Sequence, residues 1–434
     1  MKLLTTLLCM SLSFTLSTNI SHAAEPPNII LILIDGLGRD SVSAYGSDQA
    51  TPNMDQLARD GVRYETVWSM PACNPTRVTL LTGQYPFRHG WTEHRNAAEL
   101  ERNGLSWEQF PTVAKRLHEG GYQTAIGGHW QVNHLGKQAD ALRKHGFYES
   151  CVWDPSDLEE TGHDESGTPA HLLINGNREK VENGSERINT FLTDFTARNR
   201  NRPFFIYYPM LLNSAMLHRS NQRDHETPSK KTAQHATSVK HADQLVGNLI
   251  SAVDRNGLRE KTVILLTGKN LSAIDNRKGQ ARQPRHSDRI SAHGVHVPLI
   301  VRAVGMSTAG RVSQDLIDVS DFYPTFVELA DLELPDHAVL DGRSFVPSLR
   351  GSEDPYEKRN WIYSQLGKTR MIRDWQHVID NHGNFHDLQK DPLQQQKVSP
   401  LDKIAPGRRQ RLQMILDRFP GETGGPPPED TSKD

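Results

Sequence analysis

Cysteine is scarce in this chain of 434 residues, with three in all, at positions 9, 73 and 151. A small fold stapled by disulfides is thereby excluded. An excess of one charge is lacking too. Fifty Lys and Arg against 52 Asp and Glu leave a formal net charge of −2, so no global field points to nucleic acid or an anionic membrane surface. Past the first residues, no apolar run approaches the ~20 residues of a membrane span. What is present is ordinary for a soluble globular protein: 36% hydrophobic and 24% charged residues, in a chain long enough for one large domain and a smaller one.

The N-terminus reads as a targeting signal. Lys2 supplies the positive end, Leu3 to Thr18 is apolar and hydroxyl-rich, and Ser21-His22-Ala23 offers small residues for cleavage. A signal peptide over residues 1–23, with export to a periplasm or beyond, is expected. Cleavage would remove Cys9 and leave Cys73 and Cys151.

Asn28–Ile34 is a nearly continuous apolar run ending at Asp35-Gly36, the pattern of a buried parallel strand. Similar runs recur at Gln123–Ile126, Phe204–Tyr208, Thr262–Thr267 and Val297–Arg302. Helix candidates lie between them, at Met54–Asp60, Pro111–His118 and Thr237–Asn256. Strands alternating with helices predict an α/β fold around a mostly parallel sheet, with ligands gathered beyond the carboxyl ends of the strands, near Asp35 and Asn270. Asp154–Arg187 and Ser220–Ala236 are polar and read as insertions. From Tyr356 onward the texture changes: Trp361–Tyr363, Met371–Ile372 and Gln376–Ile379 predict a small antiparallel sheet, and Ala405–Phe419 a helix. The expected division is an α/β domain over 24–355, an α+β part over 356–420 and a disordered tail over 421–434.

The stretch richest in chemistry is Pro71–Gly83. Asn74 suits an N-cap, Pro75 the first helical position and Gly83 the C-terminal stop, which predicts a short helix with Cys73 just outside its N-terminus. Unpaired backbone N–H groups there favour an anion, and Arg77 one turn on can add a fork of donors. For an isolated cysteine a small buried side chain would be the ordinary reading.

The flanking residues carry more. Cys73-Asn74-Pro75-Thr76-Arg77, followed by Leu80-Leu81-Thr82-Gly83, resembles the signature of the formylglycine-dependent sulfatases. Thr51–Ala58, Leu81–Pro86, Gly121–Ala125, Pro203–Met210, His296–Val301, Asp341–Ser344 and Asp387–Pro392 continue the likeness over nearly the whole chain after the signal. The resemblance implies an alkaline-phosphatase-like fold with a C-terminal antiparallel sheet. It implies hydrolysis of sulfate esters by a formylglycine made from Cys73, and a formylglycine-generating maturation enzyme as partner. The implied substrate is a sulfated small molecule or polysaccharide, with no nucleic acid and no membrane span involved. A modified Cys73 cannot pair, which leaves Cys151 a lone thiol.

In that family two consecutive aspartates after the first strand, and an Asp-Asn pair after a later one, bind a divalent cation, usually calcium. Asp35 and Asn270 match as metal residues, whereas Gly36 and Lys269 stand where aspartates are expected. An ordinary calcium site is not expected to survive that change in ligand charge. The alternative is that the Lys269 ammonium takes the metal position and pairs with Asp35, or that Asp35 and Asn270 merely cap turns. Asp275-Asn276 as a displaced ligand pair is set aside, because the ligands directly follow the strand. The family's Gly-Lys-Trp-His-Leu-Gly reads Gly128-His129-Trp130-Gln131 here, with His134-Leu135-Gly136 after it. His129 would replace the lysine as a catalytic anion donor, and either Gln131 or a displaced His134 would replace the histidine in binding substrate, with Lys269. The family's Thr-His pair is represented by Asn213-Ser214, with His218 beyond. Lys278, Arg282 and Arg289 are weak counterparts of a further family lysine. Two functions stay open on these residues: a sulfuric-ester hydrolase, and a relative that binds sulfated glycans or another anion without turnover.

Overall fold

The computed structural model of the protein describes residues 26–155, 170–212, 228–269, 274–275, 280–281, 290–303, 305–306, 309–335, 338–392, 394, 398 and 406–420. The expected signal peptide and tail, Asn213, Ser214, His218, Asn270, Asn276, Lys278, Arg282 and Arg289 lie outside the described residues.

Asn28–Asp35 (β1) is buried at all eight positions. It can be apolar on both faces because each face meets a separate core. Ile29, Leu31 and Leu33 join one hydrophobic cluster, and Ile30, Ile32 and Ile34 the other. Each such side chain contributes about 1.5–3 kcal/mol by leaving water. The further strands are β2 (Val62–Trp68), β3 (Gln123–Gly128), β4 (Glu149–Trp153), β5 (Ala170–Ile174), β6 (Asn177–Val181), β7 (Phe204–Leu211), β8 (Thr262–Lys269), the two-residue β9 (Ile274–Asp275) and β10 (Gln280–Ala281), β11 (Leu299–Ala303) and β12 (Arg311–Asp318). Among the described residues ten of them form one sheet in the order β12-β2-β11-β8-β1-β7-β3-β4-β5-β6. Its centre, β8-β1-β7-β3-β4, is parallel throughout. The sheet is therefore mixed but mostly parallel in its core, flanked by helices, as expected from the alternating pattern.

Two expectations need correction. The polar stretch Asp154–Arg187 is in part an extension of the sheet and not merely an insertion: β5 and β6 form an antiparallel hairpin beside β4. Asn175 and Gly176, with φ of 49° and 85°, make the two-residue connection, and an Asn-Gly pair adopts that left-handed geometry readily. Composition hid the hairpin because β6 is largely exposed. The helix predicted from Thr237 begins at Pro228 and runs to Arg255, so part of the second insertion is helical.

Helix α1 (Pro52–Asp60) and helix α2 (Cys73–Thr82) flank β2. Val113–Glu119 is helical, with the Thr112 side chain as its cap. Near the C-terminus, β13 (Ile362–Leu366), β14 (Thr369–Arg373), β15 (His377–Asp380) and β16 (Phe385–Asp387) form an antiparallel sheet in chain order, followed by the helix Pro406–Asp417. This smaller sheet shares the larger core. Tyr85 packs 4.6 Å from Tyr363, tilted, and 5.9 Å from Phe419, edge to face, ring centre to ring centre. Asp341 ties the same region to the end of α2. It accepts from the Tyr85 backbone N–H at 2.7 Å and from Arg88 at 2.8 and 2.9 Å, while its own N–H donates to Gly83 O. Among the described residues no helix is long and apolar enough to cross a membrane.

Candidate active site

Helix α2 starts two residues earlier than its sequence suggests. Ala72, extended at φ −123° and ψ 156°, is the N-cap; Cys73 is the first helical residue and Pro75 the third. Pro75 still costs nothing there, because an N–H in the first turn has no intrahelical partner. Asn74 does not cap the helix. Its Nδ2 donates to Gln131 O at 2.6 Å, and its Oδ1 accepts from the Arg95 N–H at 3.1 Å. Gly83 ends the helix in the left-handed conformation, as expected. Every residue of α2 from Asn74 onward is buried, and its polar side chains find partners. Thr76 donates to Met70 O and Ala72 O, and Thr82 to Val78 O. Cys73 alone is partly exposed, and Arg77 lies behind it on the same helical face, four residues on.

Arg77 is wholly buried and holds Asp35 with Nη2, 3.1 and 3.0 Å from the two carboxylate oxygens. Its Nη1 donates to the Tyr207 hydroxyl at 3.2 Å. Lys269, equally buried, places Nζ 2.7 Å from Asp35 Oδ2. Strand register produces this contact: Asp35 and Lys269 are paired residues at the carboxyl ends of the adjacent parallel strands β1 and β8. Gly268 allows the approach, since a Cβ there would lie 1.9 Å from Leu37 O.

The segment after β3 reaches the same place. Gly128 has φ of 127° and no room for a side chain, because a Cβ would fall 2.1 Å from Pro209 O. This lets the His129 N–H donate to Pro209 O at 2.9 Å and holds the histidine almost fully buried. Gln131, at φ 59°, turns the chain so that its carbonyl caps the contact with Asn74, while its Oε1 sits 3.5 Å from Lys269 Nζ. Gln131 thus meets the lysine directly. His134 lies further along, in a turn where its carbonyl accepts from Lys137 and Gln138. Tyr207 is the residue that sequence reasoning passed over. Its signal was a tyrosine inside a fully buried strand, whose hydroxyl needs a partner.

The electrostatics follow from burial. Burial opposes the charge on Arg77, but Asp35 and then Tyr207 outweigh it and hold the guanidinium above its ordinary value. Burial pushes Lys269 below its ordinary value, Arg77 adds to the push, and Asp35 draws it back. Burial lifts the Tyr207 phenol to about 12 against the pull of Arg77, so it stays a neutral donor and acceptor. With both cations charged, two buried positive groups share one carboxylate among the described residues. An uncompensated buried charge costs several kcal/mol, so an anion at this point would be favoured.

The described donors do not fit a divalent cation. A hard cation asks for six to eight oxygens. Both Asp35 oxygens are held by Arg77, one of them also by Lys269. Among the described residues no group of three or more His, Cys, Asp or Glu side chains is placed to hold a metal. Position 36 cannot readily supply a carboxylate either, because Gly36 sits at φ 78°.

The Sulfatase family profile matches residues 27–332. N-acetylgalactosamine-6-sulfatase of Canis lupus familiaris is 29% identical over 364 residues, covering 76% of this chain and 67% of the relative. Human arylsulfatase A is also 29% identical over 364 residues, covering 76% and 69%. The match thus spans about two thirds of the length of these curated relatives. Among solved structures, Ps i-CgsB superposes with a TM-score of 0.72 at 23% identity, over 91% of this chain and 92% of that one. The PsFucS1 sulfatase of Pseudoalteromonas sp. does so at 0.71 and 20%, over 91% and 89%. A profile match covering most of the chain agrees with the fold and with the motif on α2, and the chain belongs to the sulfatase family.

Proposed function

We propose that the chain hydrolyses sulfate esters at Cys73. The observation that carries this reading is the excess of buried positive charge, Arg77 with Lys269 against Asp35 alone among the described residues, directly behind the one partly exposed residue of α2. A sulfate ester brings one negative charge to that point. Residue 73 fits conversion to formylglycine, being reachable from outside and first on its helix. When formed, that group supplies a hydrated aldehyde as nucleophile toward sulfur.

The chain's own residues do the rest. The positive end of the α2 dipole and the Arg77 guanidinium stabilise the negative charge gathering on the sulfuryl oxygens. Lys269 sets the field from the strand side, and Gln131 orients its ammonium. His129, held by its backbone at Pro209, is placed to donate to a sulfate oxygen.

Sulfated saccharides are the proposed substrates, delivered outside the cytoplasm by the signal peptide and reached after a maturation enzyme has acted. Two solved structures of the same fold contain such ligands, neocarrahexaose in one and D-glucosamine-2-N,6-O-disulfate in another. The second reading, binding without turnover, is favoured by the contact of Lys269 with Asp35, which departs from the metal-bearing pattern. Mass spectrometry of the peptide containing residue 73, from a host with the maturation enzyme, is expected to show the aldehyde. An aryl sulfate assay of wild type beside Cys73→Ala is expected to show turnover lost in the variant. An unmodified cysteine, or equal rates, would leave the binding reading standing.

A further inference from the structure

We infer that the Lys269 ammonium occupies the electrostatic place of a divalent cation, so that this protein binds its sulfate anion without calcium. The inference rests on the anion site proposed above and adds how that site obtains its charge.

Four features of the backbone and side chains converge on it. Lys269 is wholly buried at the end of β8, and a buried lysine requires a partner; the register of β1 and β8 supplies Asp35 at 2.7 Å. Arg77 takes both oxygens of the same carboxylate, so each oxygen of Asp35 already faces a cationic donor. Gln131 offers Lys269 a neutral oxygen at 3.5 Å and so brings no second negative charge to the ammonium. Gly36 sits in the left-handed region at φ 78°, a backbone that an aspartate adopts only at a cost. The close passage of Leu37 O over Gly268 then fixes the strand end from which the lysine rises. A divalent ion would have to enter between an ammonium and a guanidinium that already neutralise its first ligand. The ammonium delivers one positive charge to the anion without a separate metal-loading step.

Two measurements test this. Wild-type protein dialysed against calcium and then gel-filtered is expected to carry far less than one calcium per chain by plasma mass spectrometry. One calcium per chain overturns the inference. Calorimetric titration with inorganic sulfate is expected to give the same affinity in EDTA as in calcium chloride, and an affinity that falls with EDTA overturns it. Lys269→Met is expected to lose about tenfold or more in sulfate affinity, the value of a charged hydrogen bond, with Lys269→Arg retaining more of it. Should Lys269→Met fail to fold, the calcium content of the wild type decides alone. None of these readouts depends on residue 73 or on turnover. A protein that proves inactive can therefore still bear the inference out, and an active one can still refute it.

Discussion

Arg77 is held from two sides, by Asp35 and by Tyr207, and the two supports differ in worth. The carboxylate contact is ionic and buried, so its loss would leave an unpaired charge. The tyrosine hydroxyl accepts one hydrogen bond from the guanidinium and steadies it from β7. Tyr207→Phe is therefore expected to fold normally and to lose about 1.5–3 kcal/mol, read as a lower denaturant midpoint with an unchanged m-value. Cys73 and Arg77 were legible because their motif is contiguous and its meaning lies in one helical turn. Lys269 was legible as a departure from a pattern. Tyr207 was not, because a strand sequence does not say which neighbour its hydroxyl will meet. Asn74 misled for a related reason: a side chain suited to capping was drawn instead to the Gln131 carbonyl, which arrives from another part of the chain.

Among the elements, the segment from β3 to His134 shows how closely the site depends on backbone approach. Gly128 sits at a φ that L side chains rarely adopt and under a carbonyl that a Cβ would strike. Gly128→Ala is expected to push β3 from β7, to lower the melting temperature clearly, and to reduce kcat by displacing His129. Thermal melting with an aryl sulfate assay checks both. An unaffected kcat in a folded variant would remove His129 from the machinery. Strand existence was readable wherever apolar residues ran together, since a strand covered on both faces must be apolar throughout. The β5–β6 hairpin escaped because exposed strands carry polar residues, although Asn175-Gly176 marked its turn.

In the molecule as a whole, polar groups inside the shared core set the response to acid. His89 accepts the Trp91 N–H at Nδ1 and lies 3.1 Å from Thr79 Oγ1 at Nε2, which assigns it the neutral form with the proton on Nε2. Burial, with Arg95 adding to it, drives its pKa to about 3, and burial drives that of His145 to about 4. The unfolded chain takes up these protons near pH 6.5, before the folded one does. The stability they support is complete above that value and is lost as pH falls toward about 3. Stability is thus expected to decline from about pH 6.5 downward, and His89→Gln is expected to flatten the slope by about 1.4 kcal/mol per pH unit in that window. Chemical denaturation at several pH values measures it.

By itself the sequence determined the family, the α/β class and the identity of the reactive helix. These depend on local pattern: apolar runs, a helix bounded by proline and glycine, and a motif read within five residues. Only the tertiary structure decided what surrounds that helix. The pairing of Lys269 with Asp35 comes from the register of two strands more than 200 residues apart, the support of Arg77 by Tyr207 from a third strand, and the joining of the C-terminal sheet to Tyr85 from a common core. Such contacts depend on distances that the chain acquires when its strands align, and no local pattern encodes them.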